Sequence, residues 1–333
     1  MWSSLALAGL IPAAIVLFVL WLLPSDQFLL LPDTPHLAAS VVNVQGGKPN
    51  KGPGSLYFVD VRERRASQLE VDFPRLAPGG ATFIPAVELL GPGVSESQNQ
   101  SVALQEMARS QQIAAAVALK QLGYKVKVSS TGALVIEVAQ GAPADGKLVP
   151  GDVIVSVDGH RVETQQQARQ TLRKHKPGDV VRLGIRSSQG LRTVALKTIA
   201  DPADPKLPLI GVLLEQAAQI KLPIHVSIDT GDIGGPSAGL PFALEVLQKL
   251  GKNVSRGYRV AATGEMFLDG AVGPIGGVKQ KTLGARAAGV DIFLVPAGDN
   301  ARTARTYAGK MRIIPVESFR QALHALATLP PKR

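Results

Sequence analysis

Two glycine-rich stretches hold the groups with which this chain could do chemistry. The first, GGPSAG (Gly234 to Gly239), follows strand-like PIHVSID (Pro223 to Asp229). It opens a run, PSAGLPFALEVLQKLG, whose pattern predicts a helix of about four turns ending at Gly251. Ser237 falls in the first turn, after a glycine pair that lets backbone approach a ligand closely. Amides at such a terminus, aided by the helix dipole, can stabilise a developing oxyanion, which makes Gly235, Pro236 and Ala238 the candidate oxyanion loop. A hydroxyl is a weak nucleophile and needs a base. The second stretch, GPIGGVKQKTLGARAAGV, offers Lys279 just after Gly276 and Gly277, at the start of an amphipathic helix. A buried lysine loses basicity and can accept a proton as the neutral amine. Lys281, two residues on, points elsewhere on a helix and reads as solvent-facing.

Other chemistries are removed by composition. The chain has no cysteine, which excludes thiolate nucleophiles, disulfides, zinc ribbons and iron–sulfur clusters. Its five histidines are scattered, without a His-x-x-x-His or His-Glu-x-x-His pair, so neither a metal site nor a cofactor is expected. Only His225 is near Ser237 in sequence, which makes a Ser-His-Asp triad difficult, and His225 itself reads as a strand residue.

The elements around these groups divide the 333 residues into at least two domains. Ser55 to Val61 suits a strand, and Gln100 to Leu122 a long helix capped by Gly123. From Tyr124 to about Ile199 short strands alternate with turn signals, with one helix near Thr164 to His175. The run GALVIEVAQGAPADGKLVPGDVIVSVDGHRV resembles a PDZ domain of the bacterial type associated with proteases. That resemblance implies capture of an extended peptide as an added strand, with a carboxylate-receiving loop placed by position at Ser130, Thr131, Gly132 and Ala133. Asp152 and Asp158 read as turn residues.

After the joint DPADPKLP, the three motifs GGPSAG, ATGEM (Ala262 to Met266) and PIGGVKQK (Pro274 to Lys281) resemble, in order and in register, the proteolytic domain of Lon proteases over about residues 208 to 328. The resemblance implies an α/β domain of the ribosomal-protein-S5-domain-2-like fold. It implies Ser237 as nucleophile, Lys279 as general base, and Thr263 as the hydroxyl that orients the lysine amine. Many Lon proteins carry an acidic residue three before the serine, where this chain has Gly234; Asp232 is a possible substitute. No Gly-x-x-x-x-Gly-Lys-Ser/Thr phosphate loop occurs, so cleavage is expected without ATP.

The stretch Leu5 to Leu23 has no charge, and as a helix it would reach about 28 Å, close to the hydrocarbon thickness of a bilayer. Trp21 and Pro24 suit an interface and a helix stop. Residues 1–24 are therefore expected to form a signal anchor, with the remainder outside the cytoplasm. The chain then looks like membrane-anchored bacterial proteins of the YlbL type. The expected architecture is multidomain α+β: a transmembrane helix, a linker with strand and helix at 25–122, a β-rich PDZ domain at 123–200 and the Lon-type domain at 205–330.

The expected function is that of a membrane-anchored serine endopeptidase acting on unfolded or flexible protein or peptide substrates, with a homo-oligomer possible. The net charge is +10, but aromatics are only 5% and no basic stripe is interleaved with them, so nucleic acid is not an expected partner. Two other readings compete: a non-catalytic PDZ scaffold with a decayed Lon domain, and a phosphate-binding, kinase-like domain built on GGPSAG.

Overall fold

A computed structural model describes residues 14–48, 53–91, 94–187, 189–202 and 204–332. The chain forms two compact units, one of residues 1–122 with 224–333 and one of residues 123–223. The strand and helix expected within 25–122, left open between the two domains by the sequence, fall in the first of these units. That segment supplies strands and a long helix to the unit that carries Ser237, because its apolar residues, Leu29, Leu31, Leu56 and Phe58 among them, are buried there.

The larger unit is built on a five-stranded sheet in the order 36–37, 55–58, 259–262, 292–296, 312–316. Its last four strands run parallel, and only the short first one is antiparallel. Ile292–Pro296 is buried at every position, as expected of a parallel strand covered on both faces. Phe293 and Val295 pack with Val278 and Ala285 of the helix Val278–Ala287. A second, antiparallel sheet places Pro24–Pro32 between Val61–Ser67 and Thr82–Pro85.

The long helix spans Glu96–Gln121, close to the sequence reading, and starts in a Ser95/Gln98 capping box. Residues 14–22 are helical and lead directly into Pro24–Pro32. The rest of the expected membrane span, residues 1–13, lies outside the described residues, among which no helix is long and apolar enough to cross a membrane.

The smaller unit is a sheet in the order 190–197, 180–187, 153–157, 127–138, 212–221, with one helix, Gln165–Leu172, capped by Thr164 and Gln167. Its core is Val135, Ile154, Val157, Leu183, Ile185, Leu196 and their neighbours. The strand Val212–Lys221 belongs here by its pairing with Lys127–Val138, although it lies beyond residue 200.

Candidate active site

Ser237 sits in a single 3-10 turn, Pro236–Ala238, that leads into the helix Gly239–Lys249. The turn is held from outside by the long helix. Gln100 Nε2 donates to the Asp232 carbonyl, the Gly235 amide donates to the Ala103 carbonyl at 2.7 Å, and Ser110 Oγ donates to the Pro236 carbonyl at 2.9 Å. From the other side the Gly264 amide and Thr263 Oγ1 both donate to the Ser237 carbonyl, at 2.8 and 3.1 Å. The backbone of the serine is thus fixed, and the residue is half-buried.

The lysine that meets it is Lys281. Its Nζ donates to Ser237 Oγ at 2.7 Å, and the residue is 5% exposed. Lys279 is directed away: its Nζ donates to the Ala81 carbonyl and to Thr82 Oγ1, at 3.2 and 3.1 Å. The sequence assignment of the two lysines is corrected, and the reason is helical phase. Val278, Lys281, Thr282 and Ala285 form one buried stripe at spacings of three and four, and Lys279 lies off it. The signal was present in the sequence, since Lys281 is three residues after Val278 and four before Ala285 and so shares a helix face with both.

Burial pushes the Lys281 ammonium down to about 8, against an opposing pull from the carboxylates of Asp60 and Glu63. These two acids come from the segment 59–67, where the strand Ser55–Phe58 breaks before Val61–Ser67. The sequence reading passed over both. Burial raises Asp60 above the usual carboxylate range, and His36 Nε2, 3.3 Å from Asp60 Oδ1, works against that shift. Glu63, an exposed residue whose carboxylate is partly desolvated, is raised as well, with Lys281 opposing.

Three further expectations change. Thr263 bonds to the Ser237 carbonyl instead of the lysine amine. Of the proposed oxyanion loop, the Gly235 amide is taken by Ala103 and Pro236 has no N–H, so only Ala238 keeps its candidacy, joined by Ser237 itself. Ser130, Thr131, Gly132 and Ala133 are not a loop. They lie inside the strand Lys127–Val138, with a bulge at Thr131 opposite Ala217 and Ala218, and the Gly132 amide donates to the Glu163 carbonyl. The edge strand on this side of the sheet is instead Val212–Lys221, flanked by the helix Gln165–Leu172 through Arg169, which donates to the Leu214 carbonyl. Asp152 and Asp158 are structural: Asp152 accepts from Arg192 and the Val149 amide, and Asp158 accepts from the Arg182 amide. His225 pairs through its backbone with Gln45.

Residues 211–328 match the Lon protease (S16) C-terminal proteolytic domain, and residues 120–198 match the PDZ domain. The Lon protease of Chloroflexus aggregans is 39% identical over 115 residues, which is 32% of this chain and 14% of that protein. The Lon protease of Methanosarcina barkeri is 27% identical over 231 residues, 60% of this chain and 28% of that protein. The chain therefore spans well under a third of the length of these curated relatives. Among solved structures, the PDZ domain of the SdrC-like protein of Listeria monocytogenes is 28% identical, covering 26% of this chain and 92% of that one, with a TM-score of 0.25. A Lon-type proteolytic domain and a PDZ domain are present, in a chain of α+β composition.

Proposed function

We propose that this chain is a serine endopeptidase in which Ser237 is the nucleophile and Lys281 the general base. One observation carries the reading: a buried lysine amine, lowered to about 8, within 2.7 Å of the hydroxyl of the half-buried Ser237. Lys281 takes the proton of Ser237 as the Oγ attacks a peptide carbonyl, and returns it to the leaving amine. Water, deprotonated by the same amine, then hydrolyses the acyl-enzyme. Backbone amides of the turn Pro236–Ala238, that of Ser237 first among them, are the candidate donors to the developing oxyanion. Lys279 serves the fold by holding the segment Ala81–Thr82.

The chain's own sequence has no phosphate loop, so cleavage by it runs without ATP, which restricts substrates to unfolded chains or flexible segments. Residues 5–23 anchor it as a single membrane span, with the two units outside the cytoplasm. The PDZ unit assists selection by adding a peptide strand to the edge Val212–Lys221.

The test is casein cleavage by the full chain in detergent without ATP. Ser237→Ala and Lys281→Met should each lower kcat/KM by roughly a thousandfold or more, whereas Lys279→Met should stay within about tenfold of wild type. An inactive Lys279→Met beside an active Lys281→Met would return the base to Lys279. A folded but inactive wild type would favour a non-catalytic PDZ scaffold.

A further inference from the structure

The helix at residues 14–22 finds no cover within the described chain. Ile15, Val16, Leu17, Phe18 and Val19 are all exposed, and five consecutive positions at about 100° intervals point in every direction around the axis. This apolar helix passes into the catalytic unit without a linker. Leu23 still donates its amide to the Val19 carbonyl, its own carbonyl accepts from the Gln68 amide at 2.8 Å, and Pro24 already pairs with Ser67.

Topology gathers other apolar side chains at the same place. Both neighbours of Pro24–Pro32 are antiparallel to it, so both end where it begins. Val61–Ser67 is followed there by Gln68–Asp72, and Thr82–Pro85 is followed by Ala86–Leu90. These segments leave Phe73 and Val87 exposed at 52% and 60%. Charge does not account for the patch. Arg64 and Arg65 are neutralised by Glu70 and Glu96, and Asp72 and Glu88 outnumber Arg75.

We propose that this end of the three-stranded sheet rests in the headgroup zone of the lipid bilayer, with Phe73 and Val87 as its apolar contacts. The proposal rests on the reading of residues 5–23 as a membrane anchor and adds a second, peripheral contact to it. Such contacts bury about 5–10 Å into the interface. Because the patch is not basic, the partner surface is zwitterionic lipid, bound through apolar area and insensitive to salt. The arrangement also sets the height of the active site. The nine-residue strand Pro24–Pro32 spans about 30 Å. At its far end the Asp33 carbonyl packs on Gly284 of the helix that carries Lys281. Peptide bonds are therefore cut well clear of the bilayer surface.

The chain has no cysteine, so a single introduced one is a unique label site. The full chain, reconstituted in phosphatidylcholine vesicles with brominated acyl chains, is labelled with an environment-sensitive fluorophore at Trp21→Cys, Phe73→Cys, Val87→Cys or Leu37→Cys, the last lying beyond the far end of the strand. Circular dichroism checks that each variant is folded. Emission from positions 21, 73 and 87 should fall about twofold or more with brominated lipid, and that from position 37 should not change. Water-like emission at 73 and 87 with lipid quenching at 21 would overturn the surface contact and leave the anchor standing. Water-like emission at 21 would remove the anchor and this proposal together. Quenching at 37 equal to that at 73 would show that the sheet does not stand on this end.

Discussion

Gly234 lies so close to Ala103 that a β-carbon built on the glycine would come within 2.6 Å of the alanine Cβ and 3.0 Å of its carbonyl carbon. The neighbouring Gly235 amide is bonded to the same residue's carbonyl, so the long helix presses its backbone directly on the serine loop. This explains the glycine where many Lon proteins have an acid: the carboxylate position is closed by Glu96–Gln121. Gly234→Asp should therefore impair the enzyme instead of restoring a missing acid, costing about 1–3 kcal/mol in stability by overpacking. Urea unfolding and casein cleavage on the same variant check it; an aspartate variant with raised kcat and unchanged stability would contradict the packing argument.

The lowered basicity of Lys281 fixes the sign of the pH dependence. A base must be deprotonated to act, so kcat/KM should rise with pH through about 8 and level off above it. Asp60 and Glu63 hold the amine up by charge, so Asp60→Asn or Glu63→Gln should move this limb to lower pH. Stability follows the same proton. Between about 8 and 10.5 the unfolded chain binds a proton that the folded one does not, so stability rises with pH across that window. Lys281→Met should abolish that rise and stabilise the protein near neutrality by on the order of 3 kcal/mol. Paired pH-rate profiles and denaturation curves at pH 7 and 10 decide both statements.

How far the sequence carried the argument depended on whether a feature is local. Ser237 in its glycine turn, the helix after it and the long helix before Gly123 are local signals, and each lies where periodicity and capping residues put it. The choice between Lys279 and Lys281 was also legible, but only by reading the whole stripe Val278–Ala285 instead of the residue nearest the glycines. Asp60 was not legible as a neighbour of the lysine, because a strand broken at residues 59–60 delivers it across more than two hundred residues of chain. Nor was the division into units, since 14–122 and 224–332 meet through contacts remote in sequence, among them the pairing of Ser55–Phe58 with Arg259–Ala262 and the long helix against the serine loop. The Ser130–Ala133 loop failed for a related reason: its partner strand, Val212–Lys221, is some eighty residues away and converts it into a paired strand.

Glu245 gives the catalytic helix a second pH response, of opposite sign. It is 1% exposed, neither carboxylate oxygen has a hydrogen-bond partner among the described residues, and burial raises it to about 7 although Lys249 opposes the shift. Between 4.5 and about 7 the folded state keeps a proton that the unfolded state has released, so stability falls as pH rises through that window and stays low above it. Glu245→Gln removes the ionisation at nearly constant volume. It should flatten this fall and raise stability at pH 8 by on the order of 2 kcal/mol. Thermal unfolding at pH 5 and pH 8 measures it, and equal effects at both values would show that the carboxyl does not titrate there.

Ser110 links the long helix to the nucleophile's turn across 126 positions of sequence, through its bond to the Pro236 carbonyl. That carbonyl also accepts the Gly239 amide, so Ser110→Ala leaves it with one donor and not with none. The stability cost should be modest, about 0.5–1.5 kcal/mol. The catalytic cost should exceed what that figure alone implies, because the turn places Ser237 Oγ on Lys281 and a small displacement of the attacking atom is felt in the transition state before it is felt in binding. We expect kcat to fall about three- to tenfold with KM within about twofold, and the alkaline plateau to stay in place because the lysine's surroundings are untouched. Steady-state kinetics on a fluorogenic casein peptide across pH 7 to 9.5 separates these parameters. A shift of the pH limb, or a KM effect without a kcat effect, would mean that Ser110 acts on substrate or on the lysine and not through the Pro236 carbonyl.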